Sequence, residues 1–223
     1  MTTTAERKTI VLSDPSLESM GELVLEIQGT SPLIMNQFSN KMRDEILKKQ
    51  MGKANPGKSK KNPEDCMLDA LHVIGKRPKS IDDLDETDYG FPAVAFKSAA
   101  VRMAKLCGTP MTDSRLMFFI QPDDGELVRI KSDPPEMRTD TVRIQNTCDI
   151  RIRPMFKKWA ATLRILFNTR QVSAEQLYQW FRDAGRMNGV GEMRPGGRQS
   201  SHVFGCWKVT KAEASVPNLK KES

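Results

Sequence analysis

Trp159-Ala-Ala-Thr-Leu-Arg-Ile-Leu-Phe167 is followed after a short link by Ser173-Ala-Glu-Gln-Leu-Tyr-Gln-Trp-Phe-Arg-Asp-Ala184. The first segment is apolar almost throughout, as a central strand is. The second changes period. Leu177, Trp180, Phe181 and Ala184 recur at helical spacing, Ser173 is a good N-cap, and Glu175 and Gln176 fall in the first turn. Gly185 lies near the helix end. A glycine-rich loop, Gly189 to Gly197, comes next, and Val203-Phe-Gly-Cys-Trp-Lys-Val209 reads as a closing strand.

The same grammar appears upstream. Glu22-Leu-Val-Leu-Glu-Ile-Gln28 alternates apolar and polar, which is strand periodicity, and Gly29-Thr-Ser-Pro32 ends it. Ala93 to Cys107 reads as a helix that Gly108 stops, with Val94, Ala100, Val101, Ala104 and Leu106 toward a sheet. Leu116-Met-Phe-Phe-Ile120 is a buried strand, Pro122-Asp-Asp-Gly125 a turn, and Glu126-Leu-Val-Arg-Ile130 the returning strand. The order strand, helix, strand, strand, then strand, helix, strand predicts an α+β fold. Its expected form is a ferredoxin-like (RRM-like) split βαβ core with helices on one face and large insertions.

Residues 1–20 read as a flexible arm, 21–211 as the core and 212–223 as a flexible tail. An insertion spans about 39–88, and a basic hairpin or long loop spans about 133–156. The insertion opens with a short helix, Met42 to Gln50. It continues through Met51 to Pro63, too rich in Lys, Gly and Pro to offset the entropy of ordering, and ends in the acidic run Asp82 to Asp88.

The chain has 223 residues and a formal charge of +7, with a pI near 9.3. Such a balance favours polyanionic partners. No stretch approaches the ~20 apolar residues of a membrane span. The start, Met1-Thr-Thr-Thr-Ala-Glu-Arg-Lys8, lacks the apolar core of a secretory signal, and a cytoplasmic protein is expected. Cys66, Cys107, Cys148 and Cys206 form no C-x-x-C pair, and only His72 and His202 could join them, so neither a metal nor a cofactor is expected. The glycine loop follows a helix and opens a strand, the reverse of a dinucleotide fingerprint, and no P-loop sequence exists. The aspartates of residues 82–88 lack EF-hand spacing.

Three basic groups are candidate contacts to a nucleic-acid backbone, because guanidinium and ammonium groups match phosphate. Arg194 and Arg198 lie in the glycine loop, which also suits close backbone approach to a phosphate or a neighbouring subunit. Arg138, Arg143, Arg151 and Arg153 crowd the stretch before the central strand, where Met137, Phe156 and Trp159 could stack on bases. Lys58, Lys60 and Lys61 lie in the insertion. Lys97 and Arg102 form a further pair on the first core helix, whose N-terminal amides also suit an anion.

Tyr89-Gly-Phe-Pro92-Ala-Val-Ala-Phe-Lys97-Ser-Ala-Ala-Val-Arg102 resembles the first-helix motif of the Cas7-like (RAMP) proteins, the backbone subunits of CRISPR effector complexes. Pro92 and Lys97 match its spacing, Ser98 stands where the family has glycine, and Arg102 comes one residue late. The helix ending in Ala184-Gly185, the loop with Gly189, Gly191 and Arg194, and the closing Phe204-Gly205 strand resemble the end of the same superfamily. The resemblance covers the core and not the insertions. It implies a protomer that stacks into a homo-oligomer or filament along a single strand, RNA favoured over DNA, with Lys97 and Arg102 toward the backbone. Some members cut their target with an aspartate after the first strand. Ser31-Pro-Leu-Ile-Met-Asn-Gln-Phe38 has none, so the expectation is a non-enzymatic, stand-alone relative such as a phage would encode. An RNA-processing nuclease and an assembly protein that binds an acidic partner are the alternatives.

Overall fold

The computed structural model describes residues 19–38, 40–52, 62–144, 147–197 and 202–216. Lys58, Lys60, Lys61 and Arg198 lie outside them, as do residues 1–18, and the side chain of Arg143 is likewise outside what is described. The fold is mixed α+β with antiparallel sheets.

β1 (Met20–Gly29) and β9 (Trp159–Asn168) are the two long central strands, paired antiparallel from Met20↔Asn168 to Gln28↔Ala160. Their side chains alternate between the two faces. Leu23, Leu25 and Ile27 are buried on one face with Leu163, Ile165 and Phe167, while Glu26 and Arg164 on the other are exposed. The larger sheet runs β10-β1-β9-β6-β4-β3, with β10 (Trp207–Ser215), β6 (Leu127–Ser132), β4 (Asp88–Pro92) and β3 (Val73–Ile74). β5 (Phe118–Gln121) pairs with the C-terminal half of β9 on the edge that β6 shares.

α3 (Ala93–Leu106) and α5 (Ala174–Asp183) pack against each other. They share one core with the apolar face of the central strands. The buried stripe of α5 is the expected one: Leu177, Trp180, Phe181 and, just beyond the helix, Ala184. Its start closes a reciprocal box. The Ser173 hydroxyl accepts from the Gln176 amide at 3.2 Å, and Gln176 Oε1 accepts from the Ser173 amide at 3.2 Å. Ser173→Ala removes one arm of this box and is expected to cost about 1 kcal/mol, read as a melting point lower by roughly 2–4 °C. An unchanged melting point would show that the box adds nothing to stability.

Several expectations need correction. α3 buries Ala100, Val101 and Ala104, but Val94 and Leu106 are 66% and 69% exposed, and Phe96 and Met103 fill the core instead. Leu116 and Met117 end a short helix, α4 (Met111–Met117), rather than open a strand, and Leu116 is 78% exposed. A tight turn does form after Pro122, closed by reciprocal backbone bonds between Asp124 and Leu127, but its flanking strands are not a hairpin pair. Both β5 and β6 run antiparallel to β9, so the segment between them is an excursion within one strand direction. The closing strand starts later than expected, at Trp207, and carries residues 212–215 of the supposed tail.

Residues 136–144 and 147–156 pair as the two strands of a hairpin, one of the two forms expected for this stretch. β7 (Glu136–Ile144) and β8 (Thr147–Phe156) pair antiparallel, and β2 (Leu33–Ile34) adds a third strand beside β8. The insertion after β2 holds α1 (Asn40–Gln50), α2 (Pro63–Asp69), β3 and a 3₁₀ turn over Ile81–Glu86. No helix among the described residues is long and apolar enough to cross a membrane.

Candidate nucleic-acid interface

The glycine loop folds back along α3 and leaves a cleft of about 380 Å³ between them. One wall is the exposed edge of α3, with Val94, Ala95, Ser98 and Arg102. The other is Val190, Gly191, Glu192 and Arg194, and His72, Phe91 and Asn36 close one end. Two motifs far apart in sequence thus meet in one site.

Both guanidiniums are held by the loop's own backbone. Arg102 Nη1 donates to the Gly196 carbonyl, and Arg194 Nη1 donates to the Gly191 carbonyl at 2.8 Å. A guanidinium carries five N–H donors, so each is oriented by one bond and keeps others for an anion. The loop's glycines serve the chain itself. A Cβ on Gly191 would sit 2.5 Å from the Ile34 carbonyl oxygen, and the Glu192 amide donates to that same oxygen at 3.0 Å. The close backbone approach expected toward a phosphate or a second subunit is therefore made to β2. Met193 takes a positive φ of 55°, uncommon for a residue with a side chain.

Lys97 is not part of the cleft. It lies on another side of α3, with Nζ 5.7 Å from the ring centroid of Phe118. Burial, and then the nearby Arg115 charge, lower its pKa. The start of α3 is also partly spoken for, because the Ala93 amide donates to the Glu126 carbonyl at 2.9 Å.

The hairpin arginines divide. Arg138 and Arg153 lie directly opposite each other on β7 and β8, a pairing that repels unless an acid intervenes. Asp140 intervenes. It accepts from Arg138 Nε at 2.9 and 3.0 Å and lies 3.9 Å from Arg153 Nη1. Arg138 also stacks over Phe204 at 4.7 Å. Arg153 is only 2% exposed, and its Nη2 lies 3.6 Å from Glu192 Oε2 in the cleft wall. Its Nη1 has no hydrogen-bond partner. A side chain so buried cannot reach a strand in solution, so Arg153 is withdrawn as a phosphate contact. Arg151 stays accessible beside Asp149. Phe156 and Trp159 are withdrawn as stacking platforms. They are 0% and 2% exposed, and Trp159 Nε1 donates to the Ser31 carbonyl at 2.8 Å. Met137 is 39% exposed and keeps that possibility.

Glu192 also accepts from Asn36 Nδ2 at 3.0 Å, so hairpin, cleft and β2 are tied through one carboxylate. His72 is only partly exposed at the end of the cleft. Burial, helped by the Arg77 charge, lowers its pKa to about 4, and the ring is neutral at pH 7. Arg77 itself ties down the end of α2, donating to the Leu68 carbonyl at 2.8 Å and the Leu71 carbonyl at 3.0 Å. Among the described residues no three His, Cys, Asp or Glu side chains gather as metal ligands.

Sequence reading singled out Arg102, Arg194 and the loop, but not Asn36, His72 or Glu192 as members of one site. Glu192 lies inside the glycine loop and Asn36 inside the quoted Ser31–Phe38 stretch, but no local signal joins them to each other or to Arg153. No family model matches the chain, and no curated protein matches it.

Proposed function

We propose that this protein binds single-stranded nucleic acid, RNA in preference to DNA, as a homo-oligomer or filament, and performs no chemistry on it. The observation that carries the reading is the meeting of α3 and the glycine loop around Arg102 and Arg194, two oriented guanidiniums at one cleft. The net charge of +7 supplies the long-range attraction such a partner needs.

The proposed core is ferredoxin-like. What supports this is the order β10-β1-β9-β6, with a helix between the first and second and between the third and fourth strands in sequence. The open face of that sheet is poorly suited to RNA. RNA-recognition modules stack bases on aromatics there, whereas β1 and β9 place Glu22, Val24, Glu26, Thr162, Arg164 and Leu166 on it. The cleft beside α3 is therefore the preferred site, in line with the Cas7-like resemblance of Pro92 to Arg102. Self-association is supported by exposed apolar side chains on two elements: Ile46 and Leu47 on α1, and Met137 and Ile150 on the hairpin.

The test is a salt titration of binding to a labelled single strand, RNA and DNA in parallel, with particle size followed alongside. Arg102→Ala with Arg194→Ala is expected to weaken binding at least tenfold across sequences. The slope of log affinity against log salt should fall by about 1.4, two single-strand phosphate contacts. An unchanged slope would remove the cleft from the reading. A clean monomer that ignores both polymers would sink the reading and favour an acidic protein partner. Defined RNA fragments that vanish with one point mutation would favour a nuclease.

A further inference from the structure

The cleft is not uniformly basic. Arg102 lies eight residues beyond Val94 along the same side of α3, about 12 Å further on. Phe91, His72 and Asn36 sit at the opposite end, and Glu192 is hydrogen-bonded to Asn36 there. Between the ends, Val94 and Ala95 face the loop across the space from Val190. A volume near 380 Å³ is within the range of small-ligand pockets. The result is a slot with apolar flanks, Arg102 at one end and the Glu192 carboxylate at the other, and Arg194 held on the loop wall at the Gly191 carbonyl.

A carboxylate that faces a site for a polyanion is costly there unless it meets donors on the ligand. Glu192 is held in place from behind. Oε1 accepts one bond from Asn36, and Oε2 lies 3.6 Å from the buried Arg153, beyond hydrogen-bond range. The side chain remains 38% exposed. A carboxylate only accepts hydrogen bonds, so its match is a base edge with two adjacent donors. Guanine offers that edge in its ring N1–H and exocyclic amine. Adenine and cytosine set an acceptor beside the donor, and uracil flanks its one ring N–H with carbonyls.

We propose that the cleft is a guanine-selective nucleotide slot, with Glu192 reading the N1–H and amino edge and Arg102 holding the phosphate. This rests on the strand-binding reading above for its natural ligand, and it adds one base-selective position to contacts that otherwise follow the backbone. The source of the guanine is either a free nucleotide or a residue within a strand.

The experiment measures wild-type binding of free GMP, IMP, AMP, CMP and UMP, and of uridine tracts carrying one central G, inosine, A or C. One central guanine is expected to tighten strand binding about tenfold over adenine. Inosine, which lacks the amine, should lose most of that gain. Glu192→Gln should compress the guanine-to-adenine ratio to within twofold, and the wild-type panel decides the matter even if that variant fails to fold. Equal affinity for all bases overturns the slot and leaves the strand-binding reading standing. Selective GMP binding without strand binding supports the slot and overturns strand binding. Silence in both arms overturns both.

Discussion

Gly205→Ala is expected to leave little folded protein. Gly205 has a φ of +68°, and a Cβ there would lie 1.7 Å from the Val190 carbonyl oxygen and 2.8 Å from its carbon. Both obstacles are backbone, so no rotamer change relieves them. The residue is also stitched on both sides: its amide donates to Pro32 at 2.7 Å, and its carbonyl accepts from Val190 at 3.0 Å. Forcing an L side chain into left-handed backbone costs roughly 1–2 kcal/mol, and overpacking adds roughly 1–3 more. A total near 4 kcal/mol is a large share of a typical domain's stability. The melting point should fall by at least about 8 °C. Gly125→Ala is the control, since its φ of +54° is similar but nothing lies within 4 Å of its Cβ. Equal melting points for the two variants would mean that the loop yields where the geometry says it cannot.

The second large effect is expected at Arg153. Arg153→Ala removes a guanidinium that is 2% exposed between Asp140 and Glu192. Taking one partner from a buried ion pair typically costs about 3–5 kcal/mol. The lower end applies here, because Arg138 still serves Asp140 and Glu192 is partly wet. Arg151→Ala, two residues away and 42% exposed, should cost less than about 0.5 kcal/mol. Urea unfolding of both variants separates the cases. A difference below about 1 kcal/mol would show that the network is not a structural clamp.

How much of this was readable depends on whether the signal was local. β1, β9 and α5 announce themselves because their period and the Ser173 cap are contained in a few residues. The excursion between β5 and β6 does not. Pro-Asp-Asp-Gly is chemically a turn, and only the shared partner β9 shows that the strand resumes in the same direction. Val94 and Leu106 look like core residues by hydrophobicity alone. Their exposure follows from where α5 and the glycine loop leave α3 uncovered. The site divided in the same way. Arg102 and Arg194 were visible as charges, whereas the burial of Arg153 depends on Asp140 across the hairpin and on Glu192 in the loop. Charge density in a sequence says nothing about which arginines face inward.

Arg138, Asp140, Arg153 and Glu192 carry two positive and two negative charges, and at long range they cancel. Beyond a screening length of about 8 Å at physiological salt, the base of the hairpin is electrically silent despite its arginines. Arg102 and Arg194 hydrogen-bond to carbonyls, which carry no compensating charge. On the strand-binding proposal, a diffusing polyanion would be pulled first to the cleft, and the hairpin would take part only after contact, through shape and short-range bonds. Capture and grip would then be separate steps, with different salt sensitivities.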